Sequence, residues 1–349
     1  MTDVAPAAAR AHNEFVASQV TQHPQSHATV LDGMRLRYVD VGEQNGEPPL
    51  LLLHGLASRI EEYEDLVQAL DPSRRRMIVL DLPGNGYSDK PNRRYSLELM
   101  EDAVLALLDH LGVRRANVAG GSLGGNLTLR LGLRQPERFE KLAAWAPAGA
   151  WAPHRIWPSI VRWMPWRFIF WPALHLQSRF WYHPKWPGRQ KALDAAFAHF
   201  REIYCEGFLR MYCELGYEQV TTSLFPVASA IKQPTLLGWG DQDNGLNMGS
   251  GVKRLSELIP NSRLVVFKDA RHSLANEVPG PLAAEIETLL AHDVERGVLP
   301  ASEGAGTSGP VAAYGHRALA ACGRGPGAIA ATGRGPGAIA ATGRGPGHR

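Results

Sequence analysis

Short apolar runs alternate with longer stretches of helical periodicity through most of the chain. Such runs occur at 48–53, 116–119, 141–146, 234–240 and 264–267, and their short length and mostly apolar composition predict buried strands. After 116–119, apolar positions at helical spacing continue from Leu123 to Leu133 and stop at Gln135-Pro136. A strand, a helix and a further strand in succession form a βαβ unit. We therefore predict an α/β protein with a mostly parallel sheet flanked by helices.

The junction between the strand at 116–119 and the next helix carries the sequence Gly120-Gly121-Ser122-Leu123-Gly124. A serine between glycines at such a junction can sit on a strained turn with its Oγ exposed above the sheet edge. Glycines are needed because the turn leaves no room for neighbouring Cβ atoms. The alternative interpretation is an ordinary glycine turn with an incidental serine.

A nucleophilic serine needs a base and an acid that orients it, and both follow Ser122 in the chain. His272 follows the predicted strand at 264–267, and Asp243 follows the strand at 234–240. Both lie at the strand ends where ligands bind in parallel sheets. Asp241 and Asp269 are the other candidates for the acid. No Asp or Glu occurs between Glu140 and Asp194, which excludes an acid placed after the strand that follows the serine helix.

The strand at 48–53 leads into His54-Gly55-Leu56, which predicts an oxyanion hole. Acyl transfer needs two N–H groups aimed at the developing oxyanion. The backbone amide of Leu123, next to the serine, is one predicted donor, and that of Leu56 is the second. We interpret His54 as a structural residue that bonds the loop backbone.

Five motifs in this order resemble the α/β-hydrolase superfamily over residues 27–298. They are His54-Gly55-Leu56, Asp81-Leu82-Pro83-Gly84-Asn85-Gly86, the Ser122 turn, Gly240-x-x-Asp243 and His272. The resemblance is to the branch that holds carboxylesterases, carbon–carbon bond hydrolases, epoxide hydrolases and haloalkane dehalogenases. It implies an α/β-hydrolase fold with a helical cap inserted after the strand that follows the serine helix.

Within that branch, epoxide hydrolases and dehalogenases carry an aspartate where this chain has Ser122, so the resemblance implies an acyl-enzyme. The expected function is hydrolysis of carboxylic esters of small, apolar substrates by a serine esterase with a catalytic triad. A carbon–carbon bond hydrolase or lactonase on the same triad stays open, as does a relative that binds a hydrophobic ligand without catalysis. Leu56-Ala57-Ser58-Arg59 lacks the glycine-rich stretch common in carbon–carbon bond hydrolases.

Residues 150–226 interrupt the alternating pattern and form the predicted cap. Seven of the nine tryptophans lie between Trp151 and Trp186, and the basic residues of that stretch have no acidic partner in it. The tryptophans either line a large apolar pocket or also form a peripheral contact with a lipid interface. A nucleic-acid partner is disfavoured because the charge lies in a mixed apolar segment. Apolar positions at helical spacing predict helical structure from Gln190 to Tyr217.

The resulting domain organisation is an N-terminal extension at 1–26, a core at 27–149 and 227–298, the cap at 150–226 and a tail at 299–349. The tail repeats a Gly-Arg-Gly-Pro-Gly sequence and has too few large apolar residues to fold. Cys205 and Cys213 lie eight apart on one predicted helix, beyond disulfide reach. Reduced thiols and the absence of a secretory signal predict a cytoplasmic protein. The sequence shows no metal or cofactor motif, and it leaves the oligomeric state open.

Overall fold

The computed structural model describes residues 26–42, 45–151, 167–244, 248–291 and 297–300. Nine strands form one sheet in the order β1-β2-β4-β3-β5-β6-β7-β8-β9. Their bounds are β1 Ser26–Val30, β2 Met34–Val41, β3 Leu50–Leu53, β4 Met77–Leu80, β5 Ala116–Gly121, β6 Phe139–Trp145, β7 Thr235–Gly240, β8 Ser262–Phe267 and β9 Gly297–Pro300. From β4 to β9 all neighbours are parallel, while β2 is antiparallel to both β1 and β4. The predicted mostly parallel sheet is confirmed.

The strands that carry the long apolar runs are buried on both faces. In β3, Leu51 and Leu53 pack into one hydrophobic cluster, whereas Leu50 and Leu52 pack into the cluster on the other side of the sheet. Continuous apolar runs arise because side chains alternate between the two faces and both faces are covered. The helices outside the cap are Glu64–Ala69, Leu97–His110, Leu123–Arg134, Met248–Leu258, Leu274–Glu277 and Pro279–Ala291.

The cap consists of helices between β6 and β7, as the family resemblance implied. The described helices are Arg167–Ser178, Arg189–Ile203 and Glu206–Thr221. None of the helices among the described residues is long and apolar enough to cross a bilayer. The first part of the predicted cap, at 152–166, lies outside the described residues.

The predicted helical structure from Gln190 to Tyr217 is confirmed, but it is divided into two helices. The chain leaves the helix at Tyr204, whose ψ is 110°, and a second helix begins after Cys205. The Cys205 Sγ accepts the Phe208 N–H at 3.4 Å and caps that second helix. Cys205 and Cys213 therefore do not share the interior of one helix, and both are free thiols. Apolar periodicity continues across the break, so it does not reveal where the helix ends.

Both ends of the sheet extend slightly past the predicted domain boundaries. Strand β9, Gly297–Pro300, pairs in parallel with β8 and includes two residues that the sequence interpretation assigned to the tail. Strand β1 begins at Ser26, which was assigned to the N-terminal extension. The other residues of that extension and the repeats beyond residue 300 lie outside the described residues.

Candidate active site

Ser122 occupies the sharp turn between β5 and the helix Leu123–Arg134. Its φ of 55° and ψ of −115° place a non-glycine residue in a sparsely populated conformation. Three backbone hydrogen bonds hold the turn: the Ser122 N–H donates to the Trp145 carbonyl at 3.0 Å, and the Ser122 carbonyl accepts from Asn126 at 3.0 Å and Ala148 at 2.9 Å. The predicted strained serine turn is therefore present.

The turn needs glycines because other backbone comes very close to it. A Cβ on Gly124 would overlap the carbonyl group of Leu53, and one on Gly121 would overlap the Trp145 indole. The Tyr63 hydroxyl adds support, since it accepts the Gly121 N–H at 3.1 Å and donates to the Leu53 carbonyl at 2.9 Å. Tyr63 thus ties the serine turn to the neighbouring strand β3.

The structure brings Asp243, rather than Asp241 or Asp269, against the His272 imidazole. The His272 Nδ1 lies 2.8 Å from Asp243 Oδ2, and the carboxylate is buried. The loops after β7 and β8 meet through backbone bonds, with Gln242 N–H donating to the Ala270 carbonyl at 3.0 Å. Strand pairing therefore fixes the approach of these two side chains.

The environment of His272 suits a base held by a carboxylate. Burial on its own lowers the pKa of His272, but the charge and hydrogen bond of Asp243 outweigh it and raise the pKa above the ordinary value. Because the carboxylate accepts from Nδ1, the lone pair of the neutral ring lies on Nε2. That nitrogen is the one available to remove a proton.

Ser122 and the acid–base pair lie at the same edge of the sheet, at the carboxyl ends of β5, β7 and β8. Among the described contacts, His272 hydrogen-bonds Asp243 but forms no hydrogen bond with the Ser122 Oγ. Bonds of this kind are often long without substrate and tighten in the reacting complex. Acyl transfer would require that contact to form.

Two backbone amides are available as an oxyanion hole beside Ser122. Within the described part of the chain, neither the Leu56 N–H nor the Leu123 N–H has an acceptor. A Cβ on Gly55 would lie 3.5 Å from the Ser122 Cβ and 4.0 Å from its Oγ, so the Leu56 loop runs directly past the serine. These are the two donors that the sequence predicts.

His54 bonds only backbone in the described structure. Its Nε2 accepts the Leu82 N–H at 3.0 Å, so Nδ1 carries the proton and donates to the Gly55 carbonyl at 2.7 Å. Burial lowers the pKa of His54, against the opposing charge of Asp81. The neutral ring therefore joins the loops after β3 and β4, as expected of a structural residue.

The loop after β4 supports the Leu56 loop in a way that the sequence analysis missed. The Asn85 Oδ1 accepts the Ala57 N–H at 2.8 Å, and the Asp81 Oδ1 accepts the Ile60 N–H at 2.8 Å. Asp81 is buried beside Arg37 at 3.0 Å, and this cation helps to lower the pKa of Asp81 against the effect of burial. The motif at 81–86 was recognised as a turn, but nothing in it shows which loop it contacts.

Aromatic rings of the cap pack against one another within the larger hydrophobic core cluster. Phe170, Phe200, Phe208 and Tyr212 are buried and in mutual ring contact. Of the predicted Trp cluster, Trp151 is buried and the other described members are half-buried against the same core; they are Trp171, Trp181 and Trp186. The remaining members lie outside the described residues. These rings give the cap an apolar interior that is continuous with the hydrophobic core.

Comparison with known proteins agrees with this fold. The family model described as the alpha/beta hydrolase fold matches residues 48–180. The enol-lactonase from Burkholderia xenovorans LB400 superposes with a TM-score of 0.67 at 24% identity, covering 76% of this chain and all of that one, which shows the shared fold. The chain therefore has the α/β-hydrolase fold, and its residues 48–180 match the family model of that fold.

Two relatives from Pseudomonas putida show how broad this similarity is. The 2-hydroxymuconate semialdehyde hydrolase is 26% identical over 280 residues, covering 74% of this chain and 92% of the relative. The dihydrolipoyllysine-residue acetyltransferase component of an acetoin cleaving system is 37% identical over 139 residues, or 39% of this chain. The chain spans only 37% of that second relative. Hydrolase chemistry is therefore supported at the level of the superfamily.

Proposed function

We propose that this protein is a serine hydrolase that cleaves carboxylic esters of apolar substrates through an acyl-enzyme on Ser122. The observation that carries the proposal is the His272–Asp243 pair at 2.8 Å, at the same sheet edge as the strained Ser122 turn. Among the described residues, the backbone amides of Leu56 and Leu123 have no acceptor, so both can donate hydrogen bonds to the oxyanion that forms during the reaction.

The first half-reaction forms an ester with the enzyme. Ser122 Oγ attacks the substrate carbonyl carbon while His272 Nε2 takes the hydroxyl proton. The carbonyl oxygen becomes an oxyanion that accepts hydrogen bonds from the Leu56 and Leu123 amides. When the intermediate collapses, the bond to the leaving alcohol breaks and His272 returns the proton to that oxygen.

The second half-reaction restores the serine. A water molecule gives a proton to His272 and attacks the acyl carbon, and the bond to Ser122 Oγ then breaks with protonation of the serine. The product is the carboxylic acid. Asp243 stays ionised throughout and stabilises the imidazolium form of His272.

The apolar character of the substrate follows from the cap. The half-buried Trp171 and Trp181 pack beside buried phenylalanines, which offers apolar surface to an acyl chain or an alcohol group. A peripheral lipid contact stays a prediction. Leu176 and Phe180 of the cap are 59% and 52% exposed, but much of the Trp-rich segment lies outside the described residues.

A carbon–carbon bond hydrolase or lactonase on the same triad is the second candidate. It is favoured by the relative named as a 2-hydroxymuconate semialdehyde hydrolase, which the chain covers over 92% of its length. Arg59, the cation closest in sequence to the Leu56 loop, is already engaged: its Nη1 lies 3.1 Å from His199 Nδ1, and its Nε lies 3.6 Å from Glu61. This engagement weighs against Arg59 as a free binding group for an acidic substrate.

We also propose a cytoplasmic location for the enzyme. It is supported by the free thiols of the half-buried Cys205 and the buried Cys213, because thiols stay reduced in reducing compartments. Fractionation of cells that express the full chain would test it, and recovery outside the cytoplasmic fraction would contradict it.

Hydrolysis of p-nitrophenyl esters from acetate to palmitate tests the proposed activity. Wild type should turn over esters with an optimum that reports the size of the pocket, and Ser122→Ala should not. Ser229→Ala, which changes an exposed serine, is the matched control and should behave as wild type. Lack of turnover of every ester by wild type would contradict the esterase proposal and favour carbon–carbon substrates or simple ligand binding.

A further inference from the structure

A segment of the cap lies directly against the loop that carries His272. We call residues 179–183, between the helices Arg167–Ser178 and Arg189–Ile203, the strap. Arg271 Nη1 donates to the Arg179 carbonyl at 2.7 Å, and the Ser273 N–H donates to the Trp181 carbonyl at 3.1 Å. Both neighbours of His272 are therefore bonded to the cap.

One carboxylate joins the two sides of this contact. Glu277 Oε2 accepts the His183 N–H of the strap at 2.7 Å, and Oε1 accepts the Arg271 N–H at 3.2 Å. Its two backbone donors thus come from the strap and from Arg271, the residue immediately before His272.

We propose that Glu277 is a positioning residue that fixes the backbone immediately before His272 and ties the histidine loop to the strap of the cap. Its effect on catalysis rests on the proposed role of His272 as the base. Its effect on the loop and the strap rests on the hydrogen bonds alone.

Protonation of the Glu277 carboxylate would weaken its hydrogen bonds to the backbone amides. Burial raises the pKa of Glu277 to about 7, although hydrogen bonds from backbone amides and the charge of His272 lower it. A protonated carboxyl group keeps fewer acceptor sites than the anion does, so it cannot hold the His183 and Arg271 amides equally well.

A cavity of about 550 Å³ beside Glu277 gives water access to this group. It is lined by His183, Lys185, Trp186, Pro187, Gln242, Asp269 and Glu277. The charged and titratable groups that face Glu277 are therefore His183, Lys185 and Asp269 across the cavity, and Arg271 and His272 in the adjoining loop. The charge of Glu62 helps burial to raise the pKa of the nearby Tyr182, whose side chain hydrogen-bonds Ser273.

Amide hydrogen exchange of the full chain tests the link without depending on any substrate. Glu277→Gln keeps the shape but removes acceptor capacity, so the His183 and Arg271 amides should exchange at least about tenfold faster than in wild type. The Ala119 amide in β5 should not change. Glu206→Gln, at an exposed position of another cap helix, is the control and should leave all three amides as in wild type.

Steady-state kinetics test whether Glu277 affects catalysis by positioning His272. The Glu277→Gln variant should lose about 10- to 100-fold in kcat, with little change in KM, because a small displacement of His272 slows proton transfer more than it weakens binding. Glu277→Asp, which keeps the charge on a shorter side chain, should recover part of the loss.

The outcomes are distinct. Unchanged exchange of His183 and Arg271 in Glu277→Gln would overturn the proposal, and so would equally faster exchange of Ala119, because Glu277 would then act on global stability. Faster exchange at the two sites with unchanged kcat would overturn the positioning role. If wild type hydrolyses no ester, the proposed function fails, while the exchange result still decides whether Glu277 holds the loop.

Discussion

His272 and Asp243 form a hydrogen-bonded acid–base pair, with the imidazole Nδ1 2.8 Å from the carboxylate. The Asp243 side chain is 3% exposed and that of His272 is 23% exposed. The carboxylate is thus shielded from water, while one edge of the imidazole remains accessible. A general base needs this arrangement, because the carboxylate orients one side of the imidazole while the other side stays accessible to the substrate.

Replacing Asp243 tests whether this pairing matters for catalysis. Asp243→Asn should lower kcat by about 10³- to 10⁴-fold, since the amide neither stabilises the imidazolium nor enforces the correct tautomer. Ester hydrolysis and thermal unfolding would be measured together, with little change expected in the unfolding midpoint. Asp241→Asn and Asp269→Asn are the matched controls and should stay close to wild type; a comparable loss in either would reassign the acid.

The raised pKa of His272 predicts a pH profile. Only the neutral imidazole accepts a proton, so kcat/KM should rise with pH through a midpoint above the ordinary value of 6.5. In Asp243→Asn the charge that favours the imidazolium is gone while burial remains, so the midpoint should move to lower pH. Profiles from pH 5 to 9 would show this, and a midpoint that moves upward would contradict the assignment.

The crowding at the serine turn predicts a strong effect of one methyl group. Gly124→Ala should destabilise the fold by about 1–3 kcal/mol or more, because the new Cβ overlaps the Leu53 carbonyl. Urea unfolding measures the change. Gly280→Ala is the matched control: Gly280 lies in the helix Pro279–Ala291 with open space around its Cα, so alanine there should stabilise by about 0.4–1 kcal/mol. Equal effects of the two substitutions would contradict the crowding argument.

Asn85 should matter for catalysis although it is not predicted to touch the substrate. Asn85→Ala removes the acceptor of the Ala57 N–H next to Leu56, so the oxyanion donor should lose its position and kcat should fall by about 10- to 100-fold. KM should change little. Asn45→Ala, at an exposed asparagine bonded to the Arg74 carbonyl, is the control. An equal fall in kcat in that variant would contradict a specific role of Asn85 in positioning the Leu56 amide.

The local features of the site could be predicted from the sequence. Buried strands were readable as apolar runs because both faces of the sheet are covered, as in Leu50–Leu53. The Ser122 turn was readable because its steric demand is met by adjacent glycines. Asp243 and His272 were placed at one edge because parallel strands end together, although the choice among Asp243, Asp241 and Asp269 needed the structure.

The contacts between distant segments could not be predicted. The bonds of Asn85 to Ala57 and of Glu277 to His183 join residues 28 and 94 positions apart, and such pairs leave no periodic pattern in the chain. The break at Tyr204–Cys205 was missed for a related reason: the apolar face is continuous across it, while a capping thiol is an uncommon helix start. The final strand was missed because Gly297–Pro300 pairs with β8 in a segment of low local strand propensity.

The most direct test of the account is to react the protein with a fluorophosphonate, or with an activated ester followed by a rapid acid quench, and then to measure the mass of the intact protein. Wild type should gain one adduct, which peptide mapping places on Ser122, and Ser122→Ala should gain none. Ser229→Ala should be labelled as wild type is. An adduct that maps to another residue, or one that persists in Ser122→Ala, would contradict the assignment of Ser122 as the nucleophile.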